Sequence, residues 1–193
     1  MSPSNLVRWG GFAAMVAGVL YLVGYAGMAE LLLPLVSNLG GHVVLGLAGL
    51  ATLLTLVGVL AKDAGRSARL GAAGYTLSFV GAAVFSSGNL AEGIWLAEFG
   101  TGLFAIGMMS LLLGVVLLGF GLLQGKVLPP WSVWTLVVGW VAFLPIANSP
   151  AVFGHTFLLS LLAAGVWGVG WVAVGYTLWL GQGEIDRRPS RVR

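Results

Sequence analysis

The stretch "LGGHVVLGLAGLATLLTLVGVLAKDAGR", Leu39 to Arg66, decides the fold. From Leu39 to Ala61 it runs 23 residues without an Asp, Glu, Lys or Arg, and its one ionisable side chain is His42. A helix of roughly 20 residues crosses the ~30 Å hydrocarbon core of a bilayer. Lys62, Asp63 and Arg66 follow directly, so the run ends at water. A lone strand cannot satisfy its backbone in lipid, and the apolar/polar alternation of a barrel strand is absent, so the run reads as a transmembrane helix.

The rest of the chain agrees. Of 193 residues 59% are hydrophobic and 8% charged, with mean hydropathy +1.00. A soluble domain carries about 25% charged residues, so this composition excludes a water-soluble surface and predicts an integral membrane protein. There is no cysteine, which removes disulfides, thiolate metal sites and cysteine nucleophiles. Apolar runs near Trp9–Ala29, Leu70–Ser87, Gly100–Leu123, Trp131–Ala147 and Thr156–Leu180 complete an all-α, polytopic, six-span expectation. Residues 1–183 form one transmembrane domain of hairpins 5–62, 66–124 and 128–182, and 184–193 is a basic tail. The first run ends in Gly27-Met28-Ala29, which resembles a cleavage site, but it is too long for a signal h-region and predicts a retained span.

The net charge of +3 and pI near 9.7 do not point to nucleic acid, because the positions of the charges explain them. In the six-span arrangement all nine Lys and Arg fall on one side: Arg8, then Lys62, Arg66 and Arg69, then Lys126, then Arg187, Arg188, Arg191 and Arg193. Positive residues stay cytoplasmic. Both termini are therefore expected in the cytoplasm and the chain in a plasma (inner) membrane. Trp9, Trp131, Trp134 and Trp179 fall near span ends on that side and Trp95 on the other, as interfacial anchors. The tail "DRRPSRVR" suits contact with anionic headgroups.

A repeat underlies the pattern. "RWGGFAAMVAG" begins at Arg8, "RLGAAGYTLSF" at Arg69 and "PWSVWTLVVGW" at Pro130, a spacing of 61 residues both times. "GGHVVLGL" at Gly40 and "FGHTFLLSL" at Phe153 echo each other in the partner helices. Three tandem hairpins are the expectation. Gly10, Ala14 and Gly18, and Gly74, Ser78, Ala82 and Ser86, form small-residue ridges that let helices pack closely or let the chain associate with itself or other membrane subunits. Trp167 and Trp171, one turn apart, either pack laterally or line a pocket for a flat ligand.

The polar residues gather on the face opposite the cations. Glu30, Glu92, Glu98, His42 and His155 lie there, with the pairs Ser37/Asn38, Ser87/Asn89 and Asn148/Ser149. Glu30 follows Arg8 by 22 residues and Glu92 follows Arg69 by 23, nearly equivalent repeat positions. Glu92, Trp95 and Glu98 are spaced i, i+3, i+6, as in a short amphipathic helix lying in the interface. The simple reading is that these carboxylates mark the water boundary. The functional reading is a converging ligand, proton or ion site of Glu30, His42, Glu92, Glu98 and His155, because an ionisable group one turn inside a span is costly. His42, His155 and Glu92 would be its metal ligands, and the two histidines also fit a haem, although no outer Lys or Arg waits for its propionates. We expect Glu92 to face the bundle and meet His42, and Glu98 to face water. No HExxH spacing, GxSxG elbow, Walker loop or dinucleotide fingerprint is present in its proper context, which argues against an enzyme. Neither Lys62 nor Lys126 lies within a span to carry a Schiff base.

In size, span count and its "RWGG" opening the chain resembles small multi-span proteins of bacteria, which implies a bacterial plasma membrane. With catalytic and permeation residues both scarce, the first expectation is a binding, structural or accessory subunit. A small-solute, ion or proton transporter is the alternative, and a metal- or haem-binding membrane protein the second. The sequence names no cofactor.

Overall fold

The computed structural model describes residues 2–28, 38–63, 65–95, 99–147 and 157–181. These form α1 (Pro3–Met28), α2 (Asn38–Asp63), α3 (Ala68–Trp95), α4 (Phe99–Gln124), α5 (Pro130–Ala147) and α6 (Phe157–Leu180). Among the described residues there is no strand. Four helices, α1 to α4, are long and apolar enough to cross a membrane, while α5 and α6 contribute the shorter apolar segments Pro130–Ala142 and Ala164–Leu180.

Local chemistry sets the helix ends. Proline suits the first helical position, where its missing N–H costs nothing. Pro3 opens α1, and Ser2 caps it through the Asn5 and Leu6 amides. Pro130 opens α5, with Ser132 donating to the Pro129 carbonyl at 2.9 Å. The α2–α3 turn is pinned by a buried bond of 2.5 Å from Ser67 to Asp63.

Each helix packs antiparallel against its chain neighbours, and α6 closes on α1, so the six form a ring in sequence order. The α3–α4 seam is the most extensive, the α4–α5 seam is thin, and α2 barely touches α6 across the middle. Small residues set the close seams. A Cβ on Gly10 of α1 would lie 2.6 Å from the Gly58 Cα of α2, and one on Gly121 of α4 would lie 2.4 Å from the Gly71 Cα of α3. Ala14, Gly18, Gly74, Ser78, Ala82 and Ser86 are likewise buried, so these ridges pack helices within the chain.

Aromatic rings fill the centre. Trp140 of α5 stacks on Trp167 of α6 at 4.0 Å between centroids. Trp171 meets Trp167 edge-on, and Tyr21 of α1 links Trp167 to Phe85 of α3. The stripe read from sequence at Trp167 and Trp171 is thus core, with both rings fully buried.

One sequence expectation is corrected. The third run does not end at Ser87, and Glu92 and Trp95 do not belong to a separate interfacial helix: α3 continues unbroken to Trp95. Gly88, Asn89 and Ala91 are buried, so this stretch packs as helix against its neighbours instead of lying at the surface.

The antiparallel order gathers Arg8, Lys62, Arg66, Arg69 and Lys126 at one end of the ring, where the Arg8 guanidinium lies 5.0 Å over the Trp179 ring. His42 and Glu92 lie at the other.

Candidate functional site

The start of α2 and the end of α3 meet at the end opposite the cations. Gly46 and Gly93 bring them together: a Cβ on Gly46 would strike the Leu90 side chain at 2.6 Å, and one on Gly93 the Val43 amide nitrogen at 2.9 Å. Ser86 then reaches across and donates to the Gly46 carbonyl at 2.6 Å.

Above this clasp stands His42, 6% exposed and one turn into α2. Its Nδ1 lies 3.1 Å from Oδ1 of Asn89, which is fully buried. Asn89 Nδ2 donates to the Phe85 carbonyl at 2.9 Å. That bond fixes the amide, because the reversed orientation would set carbonyl oxygen against carbonyl oxygen. Oδ1 is therefore the acceptor, and His42 donates from Nδ1–H. Any further proton chemistry falls to Nε2.

Nε2 lies 3.6 Å from Glu92 Oε1, with the two side chains 8% and 26% exposed. A neutral ring of this tautomer turns its Nε2 lone pair toward the carboxylate, and two acceptors facing each other repel. The pair is coherent when one proton lies between them, as imidazolium with carboxylate or imidazole with carboxylic acid. A small cation or a hydrogen-bond donor in the same place satisfies both acceptors equally. Glu92 Oε2 is buried and has no hydrogen-bond partner among the described residues, so the carboxylate keeps one spare acceptor inside the protein. The start of α4 holds Glu92 from behind: a Cβ on Gly100 would lie 3.0 Å from the Glu92 amide nitrogen.

Of the residues singled out in the sequence, the structure brings together His42 and Glu92. Glu30, Glu98 and His155 lie outside the described residues. No group of three His, Cys, Asp or Glu suited to a metal ion occurs among the described residues, so a metal on His42 and Glu92 needs its third ligand from elsewhere. With Nδ1 bonded to Asn89 and Nε2 facing Glu92, His42 would have to surrender a contact to ligate a haem iron. Sequence reading assigned Asn89 to an outer connection and missed its role. The available signal was helical spacing: Ser86, Asn89 and Gly93 recur on one face of α3.

Trp95, Trp9 and Trp131 are 71%, 59% and 53% exposed and Trp179 38%, two of them at helix starts and two at helix ends.

Comparison of the chain with protein families, curated proteins and solved structures finds no match.

Proposed function

We propose that the chain is a small integral membrane protein acting as a binding or accessory subunit, and that it recognises its ligand through the His42–Glu92 pair. The observation that carries this is a buried histidine fixed at Nδ1 by Asn89 and left with Nε2 opposite a carboxylate that has a spare buried oxygen. Such a pair takes up one proton, a small cation or the donor group of a polar ligand.

The finer architecture follows from the same reading. The whole of α5 and α6, 18 and 24 residues, contains no Asp, Glu, Lys or Arg, which supports six spans. At 1.5 Å per residue the 18 residues of α5 cover about 27 Å, close to the ~30 Å core. The described cations at one end support a cytoplasmic placement of that end, hence of both termini, in a plasma membrane. Gly10 and Gly71, 61 residues apart, each meet a glycine of the following helix, Gly58 and Gly121, which are 63 apart, and this near-match supports the 61-residue repeat. A transport reading gains little: the enclosed void between α2, α4, α5 and α6 is apolar and about 10 Å³, room for about one water.

The test is nitrogen NMR on histidine-labelled protein in detergent, with His155→Gln to leave one signal set. Nδ1 should carry the ring proton, and Glu92→Gln should shift the Nε2 signal while leaving the Nδ1 signal in place. An Nε2 indifferent to Glu92→Gln sinks the site. Chains that co-purify with the native protein and are lost from Glu92→Gln would be its partners.

A further inference from the structure

At the end of the ring opposite His42 the chain holds an open cavity of about 1190 Å³. Pockets for small ligands run to about 300–1,000 Å³, so this one is large. Lys62, Arg66 and Lys126 stand on it, and its walls are apolar, with Leu123, Leu128 and Leu180. Among the described residues no acid lines it, and Trp131 sits at its edge, 53% exposed. Asp63, the nearest acid in sequence, is buried and bonded to Ser67.

The conformation of Lys126 is a second, independent observation. The carbonyls ending α4 are satisfied by a Schellman turn, with Val127 N–H on the Leu122 carbonyl and Lys126 N–H on that of Leu123. The left-handed position of such a turn is usually glycine. Here it is Lys126, at φ 48°. The sequence does place a glycine, but one residue early, where a Cβ on Gly125 would lie 2.9 Å from the Arg66 carbonyl. The chain therefore carries a lysine in a backbone state that lysine disfavours, and the cavity is where that residue faces. Strain kept in this way points to use. Arg66 is fixed nearby, its guanidinium donating to the Asp63 and Lys62 carbonyls that end α2.

We infer that this cavity binds the phosphate headgroup of an anionic phospholipid. Lys62, Arg66 and Lys126 hold the phosphate, and an acyl chain lies along the leucine wall. Charge complementarity selects the anion. Apolar walls beside an exposed tryptophan select a lipid over a free anion, since tryptophan favours the headgroup level. The inference rests on the membrane placement proposed above. Failure of that placement would show separately, as a chain recovered without detergent.

The full chain, purified in detergent, is equilibrated with equal phosphatidylglycerol and phosphatidylcholine, and retained lipids are counted by native mass spectrometry. The native chain should retain phosphatidylglycerol. Lys126→Gly should fold at least as well, because glycine suits the left-handed position. It should retain about fivefold less, the equivalent of ~1 kcal/mol per basic residue at a headgroup surface. Arg69→Gln removes an exposed cation from the same end without touching the cavity and should change nothing. Equal loss from Arg69→Gln, or unchanged retention when Lys62, Arg66 and Lys126 are all replaced by Gln, overturns the proposal. So does inorganic phosphate raising the melting temperature as far as phosphatidylglycerol does. If lipid is retained only after Glu184 and Asp186 are neutralised, the groove belongs to the chain's own tail and the proposal fails.

Discussion

Ser86 Oγ donates to the Gly46 carbonyl at 2.6 Å, one turn deeper in the α2–α3 seam than the Asn89–His42 bond. This bond ties two helices directly, where Thr55 bonds a carbonyl of its own helix. Interhelical bonds of this kind in membranes average about 0.6 kcal/mol. Ser86→Ala should lower stability by about that much in a denaturant titration in detergent, leaving the His42 signals in place. Ser86→Leu should cost about 1–3 kcal/mol by overpacking, because even a Cβ on the facing Gly49 would lie 2.9 Å from the Ser86 Cβ.

Asn89→Leu removes the acceptor of His42 Nδ1–H and leaves a buried donor without a partner. The cost should be about 1–3 kcal/mol. The tautomer should also change, since nothing then reserves the proton for Nδ1. Histidine nitrogen NMR reads both forms, and a ring that keeps Nδ1–H in this variant would contradict the assignment of Asn89.

Gly81 and Gly102 form a matched pair. A Cβ on Gly81 would lie 2.3 Å from the Leu111 amide nitrogen, backbone that cannot yield cheaply, while one on Gly102 meets nothing within 4 Å. Gly81→Ala should destabilise the α3–α4 seam by about 1–3 kcal/mol. Gly102→Ala should be neutral or stabilise by up to about 1 kcal/mol through helix propensity. Thermal unfolding of the two variants side by side decides it, and equal behaviour would mean the seam is looser than described.

Orientation is read by cysteine labelling, and the structure decides where to put the probes. Asn89 and Ser67, polar residues at the two ends, are both buried. Trp95 and Phe99, 71% and 64% exposed, replace the first, and exposed Gln124 the second. Cysteines at 95 and 99 should react with an impermeant thiol reagent on intact cells, and one at 124 only after lysis. Reaction at 124 on intact cells reverses the proposed orientation.

Much of the fold was legible because lipid leaves the chain few options. Uncharged runs such as Leu39–Ala61 must be helices, and the structure begins α2 at Asn38 and ends it at Asp63, within two residues of that reading. The end of α3 was misjudged because composition registers polarity and not its partner. Asn89 and Glu92 look like a water boundary until α2 arrives with His42. The ring order, and the buried stack that absorbs Trp140 and Trp167, depend on contacts between helices distant in sequence, which the spacing of residues along one helix does not encode. Lys126 was read as an orientation charge; its backbone conformation appears only in three dimensions.

Trp140 and Trp167 lie with ring planes 16° apart. Two indoles so close and so nearly parallel share their electronic transitions, so the centre of the ring is also a chromophore. Its exciton signal in circular dichroism depends on the separation of α5 from α6. A change at that seam, whether from unfolding or from a partner docking, becomes visible in the ultraviolet without any attached dye.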